Sequence, residues 1–414
     1  MKKIRIGIFG VGPRGMDLVQ NFTLQGCEIV ALCDDRKDIL ANASEKLGGI
    51  PAFDDFDEFI KTDMDAVILT NFFHEHAPYA IKCFEKGIHV YSECTSNGTM
   101  AEGVALIRAY EKSKSIYFLA ENYPEMKFNR EMKRVCDSGT LGKILFAEGE
   151  YNHPGNPYGT GFKKTHNYQP KHWRNFLPRT YYLTHSLGPV MRATGATPVR
   201  VSAFAVFAPT ERDAPSFSHV GDRVAVIMTQ NDDGSVFRVT GCARFGAHEN
   251  SYRICGTEGQ IENLRGMGNK VMLRYNEWSK PKGAPTESLY EPGWNDEDEN
   301  LIESAGHGGS DFLTARAFIK CIREGKEPEL PYDIHSAVTM ASVAILSHRS
   351  VLECGKSFEI PDFHIEENRR LYENDTLTPF WSKDGTPPTL PCCSHPDYKP
   401  TEKQMEKYEK ILKS

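Results

Sequence analysis

The chain opens with Lys3-Ile4-Arg5-Ile6-Gly7-Ile8-Phe9, which runs directly into Gly10-Val11-Gly12-Pro13-Arg14-Gly15. The first seven residues predict a short apolar strand, and the next six match G-x-G-x-x-G, the strand-to-helix turn that binds dinucleotides. The first glycine permits the tight turn, the second lets a pyrophosphate approach the backbone, and the third lets the helix pack closely. Amide groups at the helix N-terminus then face the phosphates with a partial positive charge. We therefore expect a dinucleotide to bind at Gly10, Gly12, Pro13, Arg14 and Gly15.

Asp34 follows the next apolar run, Glu28–Cys33, at the distance from the glycines that dinucleotide-binding folds require. A carboxylate at this spacing accepts hydrogen bonds from both ribose hydroxyls of an adenosine. It also repels a 2′-phosphate, so Asp34 favours NAD over NADP. Arg36 is the opposing signal, because an arginine here can accommodate that phosphate. A helix cap is the structural alternative for Asp34.

Length and composition bound the class of protein. The 414 residues are too many for one compact core and predict two domains with an extended tail. The net charge of −7 at pH 7 disfavours nucleic acid and anionic membranes as partners. No signal peptide or membrane-spanning run is evident, and the eleven cysteines are an odd number scattered through predicted elements. We therefore expect a cytoplasmic protein with reduced thiols.

Strands alternate with helices from residue 3 to about residue 120. The run Asp65–Thr70 reads as a strand buried on both faces, as a parallel sheet covered by helices requires. This pattern predicts an N-terminal Rossmann domain, a doubly wound parallel sheet over residues 1–122. Its ligand should lie beyond the carboxyl ends of the strands. Those ends carry Gly10, Asp34, Asn71, Glu93 and Asn122.

The pattern changes after residue 123. Several β-rich runs with turn signals predict a second α/β domain, residues 123–362, with an open and mostly antiparallel sheet. Residues 363–414 are expected to form a C-terminal arm and a last charged helix. A sheet with one uncovered face leaves an apolar patch that a monomer rarely tolerates, so we expect a homo-oligomer.

Taken together, these motifs resemble the Gfo/Idh/MocA family of NAD(P)-dependent oxidoreductases over residues 3 to about 362. Besides Gly10–Gly15 and Asp34, the sequences that carry the resemblance are Thr70-Asn71 with His74 and His76, Ser92-Glu93, Ala120-Glu121-Asn122, Trp173-Arg174, Gly256-Thr257-Glu258-Gly259 and His307-Gly308-Gly309-Ser310-Asp311-Phe312. The resemblance implies a bound NAD. It further implies cofactor contacts from Asn71, His76, Glu93, Asn122, Trp173 and Arg174, with Glu93 on the nicotinamide ribose.

The chain departs from that family at two places. The usual Glu-Lys-Pro is Glu93-Cys94-Thr95, so the lysine that commonly assists proton transfer is missing. Many members also carry Asp-x-x-x-His on the catalytic helix, where this chain has Tyr181-Tyr182-Leu183-Thr184-His185-Ser186-Leu187-Gly188-Pro189. The second stretch is similar to that of the family's NAD-dependent glycosidases, the α-N-acetylgalactosaminidases, which also lack the lysine. The similarity places Tyr182 and His185 at the positions of those enzymes' active-site Tyr and His.

The chemistry of these residues agrees with a catalytic role. If the stretch is helical, Tyr182 and His185 share one face at spacing i, i+3. Pro189 has no amide hydrogen, so the carbonyl of His185 loses its helical partner and the helix should bend. Histidine ordinarily titrates with a pKa of about 6.5, which suits a base near neutrality. The structural alternative is an aromatic-rich core helix with an internally hydrogen-bonded histidine.

Further histidines and aromatics could line a pocket for a polyhydroxylated substrate, because aromatic rings stack on sugar faces and imidazole both donates and accepts. The substrate candidates are His153, Tyr168, His172 and His307. A divalent metal on Glu150, His153 and His185 is a weaker expectation, because strand alternation puts Glu150 and His153 on opposite faces. Three functions remain open. The first is a dehydrogenase that oxidises a ring hydroxyl of a sugar or glycoside with His185 as base. The second is a redox-neutral glycosidase, and the third is a non-catalytic NAD-binding regulator.

Overall fold

The computed structural model describes residues 3–154, 171–210 and 219–413. The chain divides into two compact units. Unit 1 comprises Met1–Asn122, Asp298–Val338 and Phe363–Thr376, and unit 2 comprises Tyr123–Glu297, Thr339–Asp362 and Leu377–Ser414. These units are made of several segments each, whereas the expected domain boundaries at residues 122 and 362 divide the chain into continuous domains. The expected boundaries stay a prediction.

The helices, in chain order, begin with the glycine turn and end near the C-terminus. They are α1 (Pro13–Leu24), α2 (Lys37–Lys46), α3 (Phe56–Phe59), α4 (His76–Glu85), α5 (Met100–Glu111), α6 (Lys127–Asp137), α7 (Thr184–Thr194), α8 (Glu299–Ser304), α9 (Ser310–Glu324), α10 (Ile334–Leu352), α11 (Glu366–Arg370) and α12 (Glu402–Lys413). Within the described ranges, no helix is long and apolar enough to cross a membrane.

Unit 1 contains the parallel sheet that the sequence predicts. Its strands are β1 (Arg5–Phe9), β2 (Glu28–Cys33), β3 (Ala52–Phe53), β4 (Ala66–Leu69), β5 (His89–Ser92) and β6 (Tyr117–Leu119). They pair in the order β3-β2-β1-β4-β5-β6, and every pairing is parallel. All four residues of β4 are buried, as expected for a sheet covered on both faces. The Rossmann prediction is confirmed.

The core of unit 1 also recruits residues that lie far away in the sequence. Phe318 of α9 packs edge-on against Phe22 of α1, with ring centroids 6.3 Å apart. Tyr332 stacks on Phe118 of β6 at 4.7 Å. Because these rings are buried in one cluster with the strands, α9 completes the N-terminal core.

Unit 2 is built on the second predicted sheet. Its strands are β7 (Ile144–Asn152), β8 (Pro198–Phe207), β9 (Asp222–Asn231), β10 (Val236–Thr240), β11 (Glu249–Gly256), β12 (Gly259–Asn263), β13 (Val271–Tyr275), β14 (Glu287–Tyr290) and β15 (Phe358–Glu359). They pair in the order β14-β13-β12-β11-β7-β10-β9-β8-β15. The described pairings are antiparallel except that of β7 with β10. The expectation of an open, mostly antiparallel sheet is confirmed.

Helix α7 lies directly on the inner face of this sheet. A Cβ atom at Gly149 of β7 would come within 2.0 Å of the Ser186 carbonyl oxygen, so only glycine allows this approach. The Ser186 hydroxyl lies within hydrogen-bond distance of two carbonyl oxygens, those of Leu183 at 2.8 Å and of Thr240 at 2.5 Å, between which its single hydrogen is shared. The stretch that carries Tyr182 and His185 is thereby fixed on strands β7 and β10.

The C-terminal arm packs along unit 2 before α12 begins. The Ser394 amide and hydroxyl both donate to the buried carboxylate of Asp222, at 2.8 and 2.5 Å. Phe380 meets Tyr181 edge-on, with ring centroids 5.2 Å apart. The arm therefore supports the chain next to Tyr182.

Candidate active site

The glycine turn in unit 1 has the shape that a dinucleotide needs. At Gly10, where φ is +97°, a Cβ atom would lie 2.5 Å from the carbonyl carbon of Thr70. At Gly15 it would lie 2.0 Å from the Gly10 oxygen. At Gly12 it would meet no atom within 4 Å among the described residues. The first and third glycines thus allow close packing of the protein itself, whereas the second leaves the open surface that a pyrophosphate requires.

Asp34 is fixed beside this turn. Its carboxylate accepts hydrogen bonds from the amides of Val11, at 2.9 Å, and Arg36, at 3.0 Å. Burial raises the pKa of Asp34, and the two amides oppose that shift. The Arg36 guanidinium donates to Asp38 at 2.8 Å, so its charge is already paired with a carboxylate. This arrangement fits a ribose with two free hydroxyls better than one with a 2′-phosphate.

Arg14 connects the glycine turn with two other motifs. Its Nε donates to Glu93 at 2.6 Å, and its two terminal nitrogens donate to Asp311 at 2.8 and 2.9 Å. The Asp311 side chain is 2% exposed, so this fork is a buried, bidentate ion pair. Although burial favours neutral arginine, the carboxylates of Glu93 and Asp311 raise the pKa of Arg14 well above its usual value.

Asp311 also accepts from Asn122 Nδ2 at 2.7 Å and contacts His307 Nδ1 at 2.8 Å. Burial alone would raise the pKa of Asp311, but His307 and Arg14 hold it well below its usual range. The hydrogen bond to Asp311 raises the pKa of His307. The structure therefore joins Arg14, Asn122 and His307 through Asp311, and Arg14 extends this network to Glu93. In the sequence, Asp311 stood out only as a member of the motif His307–Phe312, with no role of its own.

Asn71 and His76 follow the end of β4. The Asn71 amide nitrogen donates to the Glu75 carbonyl at 3.2 Å, and no hydrogen-bond partner of its buried oxygen lies within the described residues. His76 is buried, and its Nδ1 lies 2.6 Å from the Thr95 carbonyl, which can only accept. Burial lowers the pKa of His76, which keeps its ring neutral. The unsatisfied amide oxygen of Asn71 at this strand end fits a site for a polar ligand.

Cys94 stands at the position where the Gfo/Idh/MocA family usually has a lysine. It is buried, and its thiol donates to the carboxylate of the fully buried Glu121 at 3.3 Å. The position therefore presents a neutral thiol to a carboxylate instead of an ammonium group.

In unit 2, His185 lies inside a ring of tyrosines. Its imidazole stacks on Tyr123 with centroids 3.9 Å apart. It meets Tyr151 edge-on at 4.9 Å and Tyr182 edge-on at 5.1 Å. The structure therefore brings Tyr182 and His185 together. The two residues were expected to share one face of a helix, and this was wrong, because α7 begins at Thr184 and Tyr182 precedes it.

The backbone of His185 has an unusual partner. Pro189 lies inside α7, so no amide at position 189 can reach the His185 carbonyl. The hydroxyl of the buried Tyr252, on β11, donates to that oxygen at 2.5 Å. A tyrosine from the sheet thus replaces the missing helical hydrogen bond directly beneath the histidine.

His153 lies on the far side of Tyr151, whose ring stacks on it at 5.9 Å with a 5° angle between the planes. Its Nδ1 lies 2.8 Å from Nδ1 of His248, a residue that the sequence analysis did not select. His172 is buried, and its ring accepts the Arg174 amide at 3.3 Å, which makes it a cap of a short turn. Tyr168 lies outside the described residues.

Trp173 and Arg174 follow His172 in this turn. The Arg174 guanidinium lies over the Trp173 ring, 4.3 Å from its centroid. Their expected contact with the cofactor stays a prediction.

The suggested metal ligands are not brought together. Glu150 pairs with Arg265 at 3.2 Å, and its register partner is Ser251, whereas the neighbouring Tyr151 faces His185. Among the residues that the structure describes, no group of three His, Cys, Asp or Glu side chains could hold a metal ion. The alternation of β7 is the physical reason.

The fold and the cradle around Gly12 define an NAD-binding oxidoreductase with a Rossmann domain. Residues 4–121 match the family model for the NAD-binding Rossmann fold of this oxidoreductase family, and residues 129–262 match the GFO/IDH/MocA C-terminal domain. The chain belongs to the Gfo/Idh/MocA family. Residues 216–368 also match the model of the glycosyl hydrolase 109 C-terminal domain.

Curated relatives of this chain are named as members of glycosyl hydrolase family 109. A glycosyl hydrolase family 109 protein 2 of Shewanella sp. (strain ANA-3) is 25% identical, with 88% of this chain and 86% of that protein covered. A family 109 protein of Stenotrophomonas maltophilia is 23% identical, with 87% and 89% covered.

The fold is also similar to solved structures of sugar oxidoreductases. Levoglucosan dehydrogenase in complex with NADH and levoglucosan has a TM-score of 0.73 at 18% identity, with 87% of this chain and all of that chain covered. The aldose-aldose oxidoreductase of Caulobacter crescentus has a TM-score of 0.67 at 19% identity, with 86% and 100% covered.

The glycine turn generates a prediction with a built-in control. Gly15→Ala should lower the free energy of unfolding by about 1–3 kcal/mol, because its methyl group meets the Gly10 carbonyl. Gly12→Ala should change it by less than about 1 kcal/mol, since the site is open, yet weaken NAD binding by roughly tenfold or more. Denaturant unfolding and calorimetric titration with NAD measure the two effects. Undiminished NAD affinity of Gly12→Ala would contradict the assignment of the cradle.

A double-mutant cycle tests the hydrogen bond beneath His185. Tyr252→Phe leaves the buried carbonyl unsatisfied and should lower the free energy of unfolding by about 1–3 kcal/mol. In a Pro189→Ala background the new amide can donate to that carbonyl, so the same change should have less than half the effect. Urea unfolding of the four proteins gives the coupling energy. Strictly additive effects would show that Tyr252 does not replace the helical donor.

Proposed function

We propose that this protein is an NAD-dependent, redox-neutral glycosidase in which His185 is the base. The observation that carries the proposal is the enclosure of the His185 ring by Tyr123, Tyr151 and Tyr182, where the resemblance to glycosidases placed a catalytic pair. The Cys94–Glu121 contact supports it, because no lysine stands at position 94 to assist a simple dehydrogenase.

From the sequence alone, the first expectation was net oxidation of a sugar. The match of residues 216–368 to the glycosyl hydrolase 109 domain, together with the names of the curated relatives, favours bond cleavage instead. Oxidation of a ring hydroxyl is the first step of both reactions, so the proposed role of His185 is the same. A sugar dehydrogenase is the second candidate, because its reaction would use the same NAD-binding domain and the same base.

A bound NAD would supply reversible hydride transfer, so that the sugar carbon could be oxidised first and reduced again at the end of the cycle. His185 accepts the proton of the ring hydroxyl at an imidazole nitrogen. Tyr182, whose ring centroid lies 5.1 Å away, holds or relays that proton. The oxidised carbon acidifies the neighbouring C–H, whose proton a modest base removes so that the aglycone leaves by elimination. Water then adds to the resulting double bond. In unit 1, Gly12 and Asp34 hold the cofactor, and Arg14 fixes Glu93 for the nicotinamide ribose.

The test is incubation of the purified protein with nitrophenyl glycosides in deuterated water, with and without added NAD⁺. We expect nitrophenol release without added cofactor and deuterium in the released sugar, because the C–H proton is exchanged during elimination. His185→Gln should abolish nitrophenol release and deuterium incorporation. His395→Gln is the control, because His395 lies in the C-terminal arm and stacks on Phe207 of β8, and it should leave both signals intact. Stoichiometric NADH with an intact, oxidised glycoside would establish the dehydrogenase. Bound NAD without any reaction would favour a regulator.

We further propose that two copies of the chain associate through the outer face of the unit 2 sheet. This face exposes large apolar side chains on adjacent strands, and Phe204 of β8 is paired in register with Val226 of β9. Its members with at least 37% exposure include Phe204, Val206, Val226, Met228 and Phe245. Sedimentation at micromolar concentration should show a dimer or larger assembly that Phe204→Asp dissociates, whereas Leu371→Asp, in unit 1, does not. A wild-type monomer would contradict this.

A further inference from the structure

Acidic and basic residues are unevenly distributed along the sequence of this chain. Residues 151–210 contain no Asp or Glu, although the whole chain has 56 of them. The same sixty positions contain seven Lys and Arg residues. Tyr182 and His185 both belong to this stretch, which is therefore basic in sequence although the whole chain is acidic.

An exposed imidazole pair lies at the start of this stretch. Nδ1 of His153 contacts Nδ1 of His248 at 2.8 Å, and both side chains are exposed. One ring must donate this hydrogen bond, and the other accepts it at Nδ1. A neutral ring that accepts at Nδ1 carries its own proton on Nε2. The pair therefore always offers at least one N–H donor away from the contact.

The pair is separated from the proposed base by a single ring. Tyr151 stacks on His153 at 5.9 Å and meets His185 edge-on at 4.9 Å. His153 and His185 thus flank the same tyrosine ring, which places the imidazole pair next to the proposed base.

The charged groups that act on His153 most strongly are cationic or basic. Burial lowers the pKa of His153, and His248, Arg174, His185 and Arg244 lower it further. The neighbouring carboxylates are engaged elsewhere: Glu249 accepts from the Gly266 amide at 3.1 Å, and Glu150 pairs with Arg265. Arg174 and Arg244 therefore bring fixed positive charge near the pair, and such charge attracts an anion.

We infer that His153 and His248 form a subsite for an anionic substituent, a carboxylate or a sulfate ester, on the sugar that the enzyme cleaves. Cleavage of that sugar rests on the proposed function. Binding of the anionic substituent requires only the imidazole pair and the cationic groups near it. Imidazole N–H groups donate charge-assisted hydrogen bonds to such oxygens. A sugar without such a substituent would offer no anionic acceptor to this imidazole N–H, which would then donate to water.

Two measurements on the NAD-loaded protein test the subsite. The first compares kcat/KM for nitrophenyl galactoside, galacturonide and galactoside 6-sulfate. We expect at least a tenfold preference for one or both anionic glycosides, and the arm that shows it identifies the carboxylate or the sulfate. His248→Gln should reduce that preference at least fivefold through KM while kcat for the neutral galactoside changes little. His395→Gln is the matched control. Measurable and equal rates for all three glycosides, or an equal loss on all three in His248→Gln, would overturn the inference.

The second measurement separates failure of the subsite from failure of the proposed reaction. Calorimetric titration with galacturonic acid and with galactose needs no turnover. Tighter binding of galacturonic acid that His248→Gln weakens would uphold the subsite even if no glycoside is cleaved. Equal affinity of the wild-type protein for the two sugars, or a preference that survives in His248→Gln, would overturn it even if glycosides are cleaved.

Discussion

The fork between Arg14 and Asp311 is the interaction on which the cofactor half of the structure depends. It joins the first turn of α1 to the first turn of α9, and the same guanidinium reaches Glu93 after β5. Asp311 is almost fully buried, so removal of Arg14 would take away its bidentate partner and leave the carboxylate only His307 and Asn122. The positions of Asn122 and His307 follow from the same carboxylate.

The sequence predicted the local parts of this arrangement well. Three glycines and one aspartate at fixed spacings have a steric and an electrostatic reason, and the structure gives Gly10, Gly12 and Gly15 separate roles. The ion pair between Arg14 and Asp311 could not be predicted from the sequence, because the two residues are 297 positions apart and no local sequence pattern identifies Asp311 as the partner. Asp311 was visible only as the end of a His-Gly-Gly-Ser-Asp motif.

In unit 2 the sequence identified the chemistry but not its surroundings. Tyr182 and His185 were found by resemblance, and the consequence of Pro189 for the His185 carbonyl followed from proline's missing amide. The residue that satisfies this carbonyl, Tyr252, comes from a strand whose pairing with β7 is set by the sheet as a whole. Tyr123 and His248 were missed for the same reason. His172 was selected for its type, but in the structure it is a buried turn cap.

The central claim is that His185 takes the proton when the sugar is oxidised. It is tested most directly by mixing NAD-loaded protein rapidly with a cleavable glycoside and following nicotinamide absorbance in a single turnover. The account predicts a transient rise and fall in the wild-type protein, and a rise at least roughly a hundredfold slower in His185→Gln, the usual scale for loss of a general base. A transient of unchanged rate and amplitude in His185→Gln would contradict it.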